Sequence, residues 1–85
     1  VKTKIIKIIK AVADKTRLRL LERIRRREVC ACELLFFVKV SQPAVSQHLK
    51  VLLDTELIKV RKKGAKRLYS LSPLGANVLN DISKW

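Results

Sequence analysis

Residues 41–53, SQPAVSQHLKVLL, constrain this chain more than any other stretch. Ser41 can cap a helix with its hydroxyl, and Pro43 falls in the first turn, where a missing N–H costs nothing. Val45, Leu49 and Leu52, with Leu53 beside them, recur at helical spacing, so one apolar stripe holds the helix down. The face left over carries Gln42, Ala44, Ser46, Gln47 and Lys50, with no acid before Asp54. Amides and hydroxyls can bond base edges, a methyl can touch a thymine methyl, and a lysine can meet guanine or phosphate. These residue types suit a helix lying in the major groove of DNA. The plainer reading is a solvated amphipathic helix, and the flanking sequence decides between them.

A short helix is predicted over Ala31–Val38, and only Lys39 and Val40 link it to the cap at Ser41. Two helices joined so tightly, the second better suited to DNA, make a helix-turn-helix. Two strands follow, Leu57–Lys62 and Lys66–Leu71, with Gly64 in the turn. The tip, residues 61–67, holds five basic side chains among seven, Lys62, Lys63, Lys66 and Arg67 with them. A basic hairpin directly after a recognition-like helix is placed to reach the backbone or minor groove, although alone it would pass for a soluble loop.

The outer helices have a different character. Residues 2–13, KTKIIKIIKAVA, put Lys4, Lys7 and Lys10 on one side and leave an apolar arc wider than one surface needs. A second subunit is the expected claimant, with a basic helix lying on a membrane as the rival. Asp14 is the predicted N-cap of a helix over Lys15–Arg27 whose inner stripe is Leu18, Leu21 and Ile24, flanked by Leu20. Its six arginines face only Glu22 and Glu28, so part of this surface is expected to border phosphates. At the far end Ser72 and Pro73 cap a last helix with Leu74, Val78, Ile82 and Trp85 on one face. The dimer interface is therefore assigned to Ile5, Ile9, Val12, Leu74, Val78, Ile82 and Trp85.

Composition narrows the class. The 85 residues are expected to form one domain, 1–85, with a modest core. Twenty Lys and Arg against seven Asp and Glu leave a net charge of +13, which points to a polyanionic partner. No apolar run is long enough to span a bilayer and no signal peptide is recognisable, so a cytosolic location is expected. With no methionine, even at position 1, the chain is expected to lack its original start. Cys30 and Cys32 stand one residue apart and are expected to be reduced thiols, a direct bond between them being strained. No Ser/His/Asp set, phosphate-cradling glycine loop or paired acid cleft supports an enzyme.

In this order and spacing, AVADKTRLRLLERI at 11–24, EVCACEL at 28–34, SQPAVSQHLKVL at 41–52 and LIKVRKKGAKRLYSLSP at 57–73 resemble the ArsR/SmtB family of winged-helix repressors. The resemblance implies a mainly α fold with a small β-hairpin, a winged helix-turn-helix running four helices, two strands, one helix, and a homodimer formed through the first and last helices. It implies binding to double-stranded DNA through the recognition helix and wing. The candidate contacts are Ser41, Gln42, Ala44, Ser46, Gln47, His48, Lys50, Lys62, Lys63, Lys66 and Arg67. It also matches Cys30 and Cys32 to the thiolate ligands of the arsenic- and heavy-metal-sensing branch. Residues two apart on an ideal helix point about 200° from each other, so Cys30 must lie just before the helix or the first turn must distort.

The chain departs from the family pattern at several places. Leu35 stands where a third cysteine often follows the pair, and the last helix lacks the Asp and His pairs of the zinc-sensing branch, holding Asp81 alone. Phe36 and Phe37 replace small or polar residues and cannot both face inward from a short helix. Lys39 occupies the inter-helix position often taken by Gly, where a left-handed backbone would cost on the order of 1 kcal/mol. Lys15 stands where Pro is frequent. The expected function is a homodimeric sequence-specific repressor that needs no cofactor to bind DNA and is released by a thiophilic effector, As(III), Cd(II) or Pb(II), at Cys30 and Cys32. The alternatives are a thiol redox-responsive or effector-independent repressor of the same fold, and, from another class, a non-specific architectural DNA-binding protein.

Overall fold

The computed structural model describes residues 2–84, and Trp85, assigned above to the dimer interface, lies outside them. The elements run α1 (Lys2–Val12), α2 (Lys15–Arg26), β1 (Val29–Cys30), α3 (Ala31–Phe37), α4 (Gln42–Asp54), β2 (Ile58–Lys63), β3 (Lys66–Leu71) and α5 (Pro73–Ile82). The mainly helical architecture with a basic hairpin is as read from the sequence, with one correction. A third strand, β1, joins the sheet, whose order is β1-β3-β2. Val29 pairs with Tyr69 and Cys30 with Leu68, both antiparallel. Two residues are too short to carry a period of their own, so only that distant pairing defines them.

Local chemistry accounts for the element boundaries. Asp14 caps α2, its carboxylate accepting from the Arg17 backbone N–H at 3.0 Å. Ser41 caps α4 by accepting from the Ala44 N–H, with Pro in the first turn. At the other end of α4 the Leu57 N–H reaches the Leu52 carbonyl and the Glu56 N–H the Leu53 carbonyl. That paired closure needs a left-handed residue, and Glu56 supplies it at φ 62°. Lys39 has no positive φ, so the strain considered for it is absent and falls on Glu56 instead. Gly64, also at φ 62°, opens the two-residue turn between Lys63 and Lys66.

The core gathers Leu20, Leu21 and Ile24 of α2, Val29, Leu34 and Val38 around α3, Val45, Leu49 and Leu52 of α4, and Leu57, Ile58, Tyr69 and Leu79. Each of the larger aliphatic side chains buried there stabilises the fold by roughly 2 kcal/mol. The inner stripe of α2 differs from expectation: Leu20 is fully buried and Leu18 only partly. The buried spacing is thus 20, 21, 24, and one turn earlier the same stripe begins at Arg17. On α1, Ala11 is buried while Ile5, Ile6 and Ile9 are 51–55% exposed, so half its apolar arc is left uncovered. Among the described residues no helix is long and apolar enough to cross a membrane.

Candidate nucleic-acid interface

α4 is seated by Val45, Leu49 and Leu52, which turns Gln42, Ser46, Gln47 and Lys50 outward into solvent, with Ala44 partly covered. The Ser41 hydroxyl is committed to capping, which leaves it one proton to donate. Beside α4 the hairpin exposes every residue from Arg61 to Arg67. Lys62, Lys63, Lys66 and Arg67 carry no ion pair among the described residues, whereas Arg61 is forked onto Glu28 through two bonds of 2.7 Å. That guanidinium holds the Glu28 carboxyl below the usual carboxylate range, and Glu28 in turn raises Arg61. Four of the five tip cations remain available to an anion.

The arginine face of α2 is less available than its composition implied. Arg23 and Arg27 both reach Glu33, Arg25 bonds Glu22 and Asn80, and Arg19 lies over the Phe37 ring at 5.2 Å from its centroid. Two carboxylates, Glu22 and Glu33, answer three of these arginines, so the surface left to border phosphates is narrower than the composition implied. Phe36 is 89% exposed while Phe37 is partly covered, so the two rings do separate.

His48 does not project with the rest of the candidate DNA face. It stands three residues from Val45, at the margin of the buried stripe, and its Nδ1 lies 3.2 Å from Arg17 Nη1. The sequence reading missed Arg17. Its position at the head of the 17, 20, 21, 24 series is the signal that could have found it, because that spacing points the side chain inward.

Cys30 and Cys32 are joined in a disulfide, which corrects the expectation of reduced thiols. The backbone explains why the bond can form. Cys30 is extended at φ −86° and ψ 160°, in the N-cap position, so the opposed directions of a regular helix do not apply, and the two Cα atoms stand 5.4 Å apart. A cleft of about 300 Å³ separates the pair from Ala65, Lys66 and Arg67 of the hairpin. A second, of about 190 Å³, lies between Ala31, Cys32 and Leu35 and the first turns of α4 at Gln42, Val45 and Ser46. The pair therefore faces the hairpin tip across one cleft, and Cys32 faces the start of α4 across the other. Among the described residues no third His, Cys, Asp or Glu joins it in a cluster suited to a metal ion. Two sulfurs that can bond each other can also, once reduced, meet one soft ion, so the donor set fits a thiophilic ligand as a two-thiolate site.

Comparison with known proteins agrees with this geometry. The family described as "Bacterial regulatory protein, arsR family" matches residues 14–60, from the α2 cap through α4 into β2. An arsenical resistance operon repressor from Staphylococcus xylosus is 43% identical over 65 residues, covering 76% of this chain and 62% of that protein. The corresponding repressor from Staphylococcus aureus is 41% identical over 75 residues, covering 88% and 69%. The chain thus spans somewhat under two thirds of the first relative's length. Among solved structures, NolR from Sinorhizobium fredii superimposes with a TM-score of 0.88 at 27% identity, over 98% of this chain and 84% of that one.

Proposed function

Because the chain belongs to the ArsR family of bacterial regulatory proteins, we propose that it is a homodimeric, sequence-specific transcriptional repressor whose grip on DNA is released through Cys30 and Cys32. The relatives named above are repressors rather than enzymes. The observation that carries the reading is the pairing of a capped, core-seated α4, its amides and hydroxyls outward, with an unpaired cationic hairpin alongside. Gln42, Ala44, Ser46, Gln47 and Lys50 read bases, and Lys62, Lys63, Lys66 and Arg67 hold phosphates. The uncovered Ile5, Ile6 and Ile9 of α1, with the partly buried Leu74, Val78 and Ile82 of α5, supply an apolar seam for a second copy.

The test is binding to a duplex that the protein itself selects from a random-sequence library, against a scrambled duplex of the same composition. Gln42→Ala with Gln47→Ala is expected to weaken binding to the selected duplex about 10- to 100-fold while leaving the scrambled one nearly unchanged. Equal losses on both, or no selectable sequence, favour an architectural DNA-binding protein instead.

A thiophilic metal or metalloid, As(III), Cd(II) or Pb(II), is the proposed effector, held by the Cys30 and Cys32 thiolates and supplying soft-ion coordination there. The disulfide favours a second reading, in which opening and closing that bond by two-electron exchange with a dithiol is itself the signal. Cys30→Ser with Cys32→Ser is expected to leave DNA affinity within about twofold and to abolish release by arsenite or cadmium in the presence of a phosphine reductant, which keeps the thiols reduced without offering sulfur to the ion. Wild-type release by oxidant alone selects the redox reading. A double variant still released by arsenite removes the pair from the effector site.

A further inference from the structure

Arg17 is turned inward from the most cationic helix of the molecule, at the head of the stripe whose other members are Leu20, Leu21 and Ile24. Each of its three guanidinium nitrogens has a partner on α1 or α4. Nε donates to the Ala11 carbonyl at 2.7 Å and Nη2 to the Lys10 carbonyl at 3.1 Å, so it closes the C-terminal end of α1. Its backbone N–H is the one that Asp14 caps. Nη1 reaches His48 Nδ1 on α4. A guanidinium has no acceptor, so Nδ1 must offer its lone pair and the ring proton of a neutral His48 must sit on Nε2. One side chain thereby fixes the distance between α1, the element offered to a second subunit, and α4, the element offered to DNA.

Resting on the reading of α4 as a DNA-recognition helix, we propose that Arg17 and His48 are a positioning pair that sets the seat of α4, and that the pair holds only while His48 is neutral. His48 is then not a base or phosphate contact. Protonation puts an N–H on Nδ1 facing the guanidinium, which removes the bond and sets two cations against each other. The other groups around the ring do not replace it. On α2 the Asp14 carboxylate is held below the usual range first by the Arg17 backbone N–H; as an anion it eases the charge of a protonated ring, but as an acceptor already occupied as a cap it cannot restore the lost Arg17–His48 bond. On α1 the Lys10 and Ala11 carbonyls belong to Arg17, and the Lys10 ammonium is a further cation. On α4 itself, Lys50 stands on the opposite, exposed face.

The experiment measures affinity for the library-selected and scrambled duplexes from about pH 8 down to about pH 5.5, at fixed salt and with circular dichroism confirming the fold. The wild type is expected to lose about fivefold in selectivity on acidification, the worth of one hydrogen bond. His48→Asn, which keeps an acceptor near the Nδ1 position and cannot take a proton, is expected to retain the neutral-pH affinity and to flatten the profile. His48→Ala and Arg17→Gln are each expected to weaken binding at pH about 8, Arg17→Gln the more because it also frees the α1 carbonyls, and the two combined are expected to weaken it no further than Arg17→Gln alone. Nitrogen NMR of the labelled imidazole, without DNA, is expected to find Nδ1 unprotonated in the neutral ring. An Nδ1–H tautomer, affinity that rises on acidification and goes flat in His48→Asn, or additive losses at 17 and 48 would each overturn the pairing. Failure to select any duplex sinks the recognition reading, while the NMR result still decides the pair. Should Arg17→Gln not fold, Arg17→Lys, which keeps a donor toward α1, replaces it.

Discussion

Replacing Lys62, Lys63, Lys66 and Arg67 together with alanine is expected to remove most of the salt dependence of DNA binding. Each phosphate neutralised by a cation releases about 0.9 of a condensed counterion, so four such contacts on each chain of the proposed dimer contribute a slope of about 7 in log K against log salt. Between ~50 and ~200 mM salt that corresponds to roughly a 10,000-fold loss of affinity in the wild type. The quadruple variant should bind far more weakly at low salt and change little as salt is raised. Folding should survive, because all four side chains are exposed and none has an ion partner among the described residues. Arg61 supplies the internal contrast. Its guanidinium is committed to Glu28, so Arg61→Gln should flatten the slope by much less than one full contact. Salt titrations by fluorescence anisotropy read both. An unchanged slope in the quadruple variant would take the hairpin out of the interface and leave α4 to hold the duplex alone.

What could be read without coordinates was whatever a single segment decides for itself. Ser41 and Pro43 start α4 because a hydroxyl and a missing N–H suit the first turn, and Val45, Leu49 and Leu52 turn inward because their spacing allows nothing else. Gly64 turns the hairpin and Ser72 caps α5 for equally local reasons. The features that escaped depend on residues far apart in the chain. β1 exists only because Tyr69 and Leu68 lie beside Val29 and Cys30. The disulfide depends on Cys30 leaving the helix into that strand, a consequence of the same pairing. On α2, Glu33 reaches Arg23 and Arg27 and Asn80 reaches Arg25 from other elements, partners that counting charge along one helix cannot see. The outward side of α4 was therefore legible residue by residue, whereas the braces behind it, Arg17 against His48 and Glu28 against Arg61, were not.

Gly75→Ala is expected to be strongly destabilising, against what helix propensity alone says. In an ordinary helical turn the added methyl should help by about 1 kcal/mol. Here Gly75 is the third residue of α5, and its N–H donates to the Ser72 hydroxyl at 2.9 Å, which in turn donates to the Glu56 carbonyl at 2.6 Å. The Ser72 N–H also reaches the Leu57 carbonyl. The first turn of α5 thus lies directly on the backbone that leaves α4, and a Cβ at position 75 would fall on the Leu57 carbonyl oxygen and come within 2.9 Å of Leu71 Cδ1. A backbone carbonyl held in that double contact cannot swing aside as a side chain tip can. Relief requires α5 to lift, which breaks the Ser72 contacts and uncovers Leu79. Overpacking plus the lost hydrogen bonds comes to about 3 kcal/mol net of propensity, or roughly 12–24 °C in Tm for a domain of this size. Gly64→Ala is the control: nothing lies within 4 Å of its added Cβ, so only the positive φ opposes it, at about 1 kcal/mol. Thermal unfolding at fixed protein concentration separates the two, since an α5 that supports a dimer makes Tm depend on concentration. A Gly75→Ala protein as stable as the wild type would mean that α5 does not rest on Leu57, and the apolar seam drawn from Leu74, Val78 and Ile82 would lose its fixed place beside the elements proposed to read DNA.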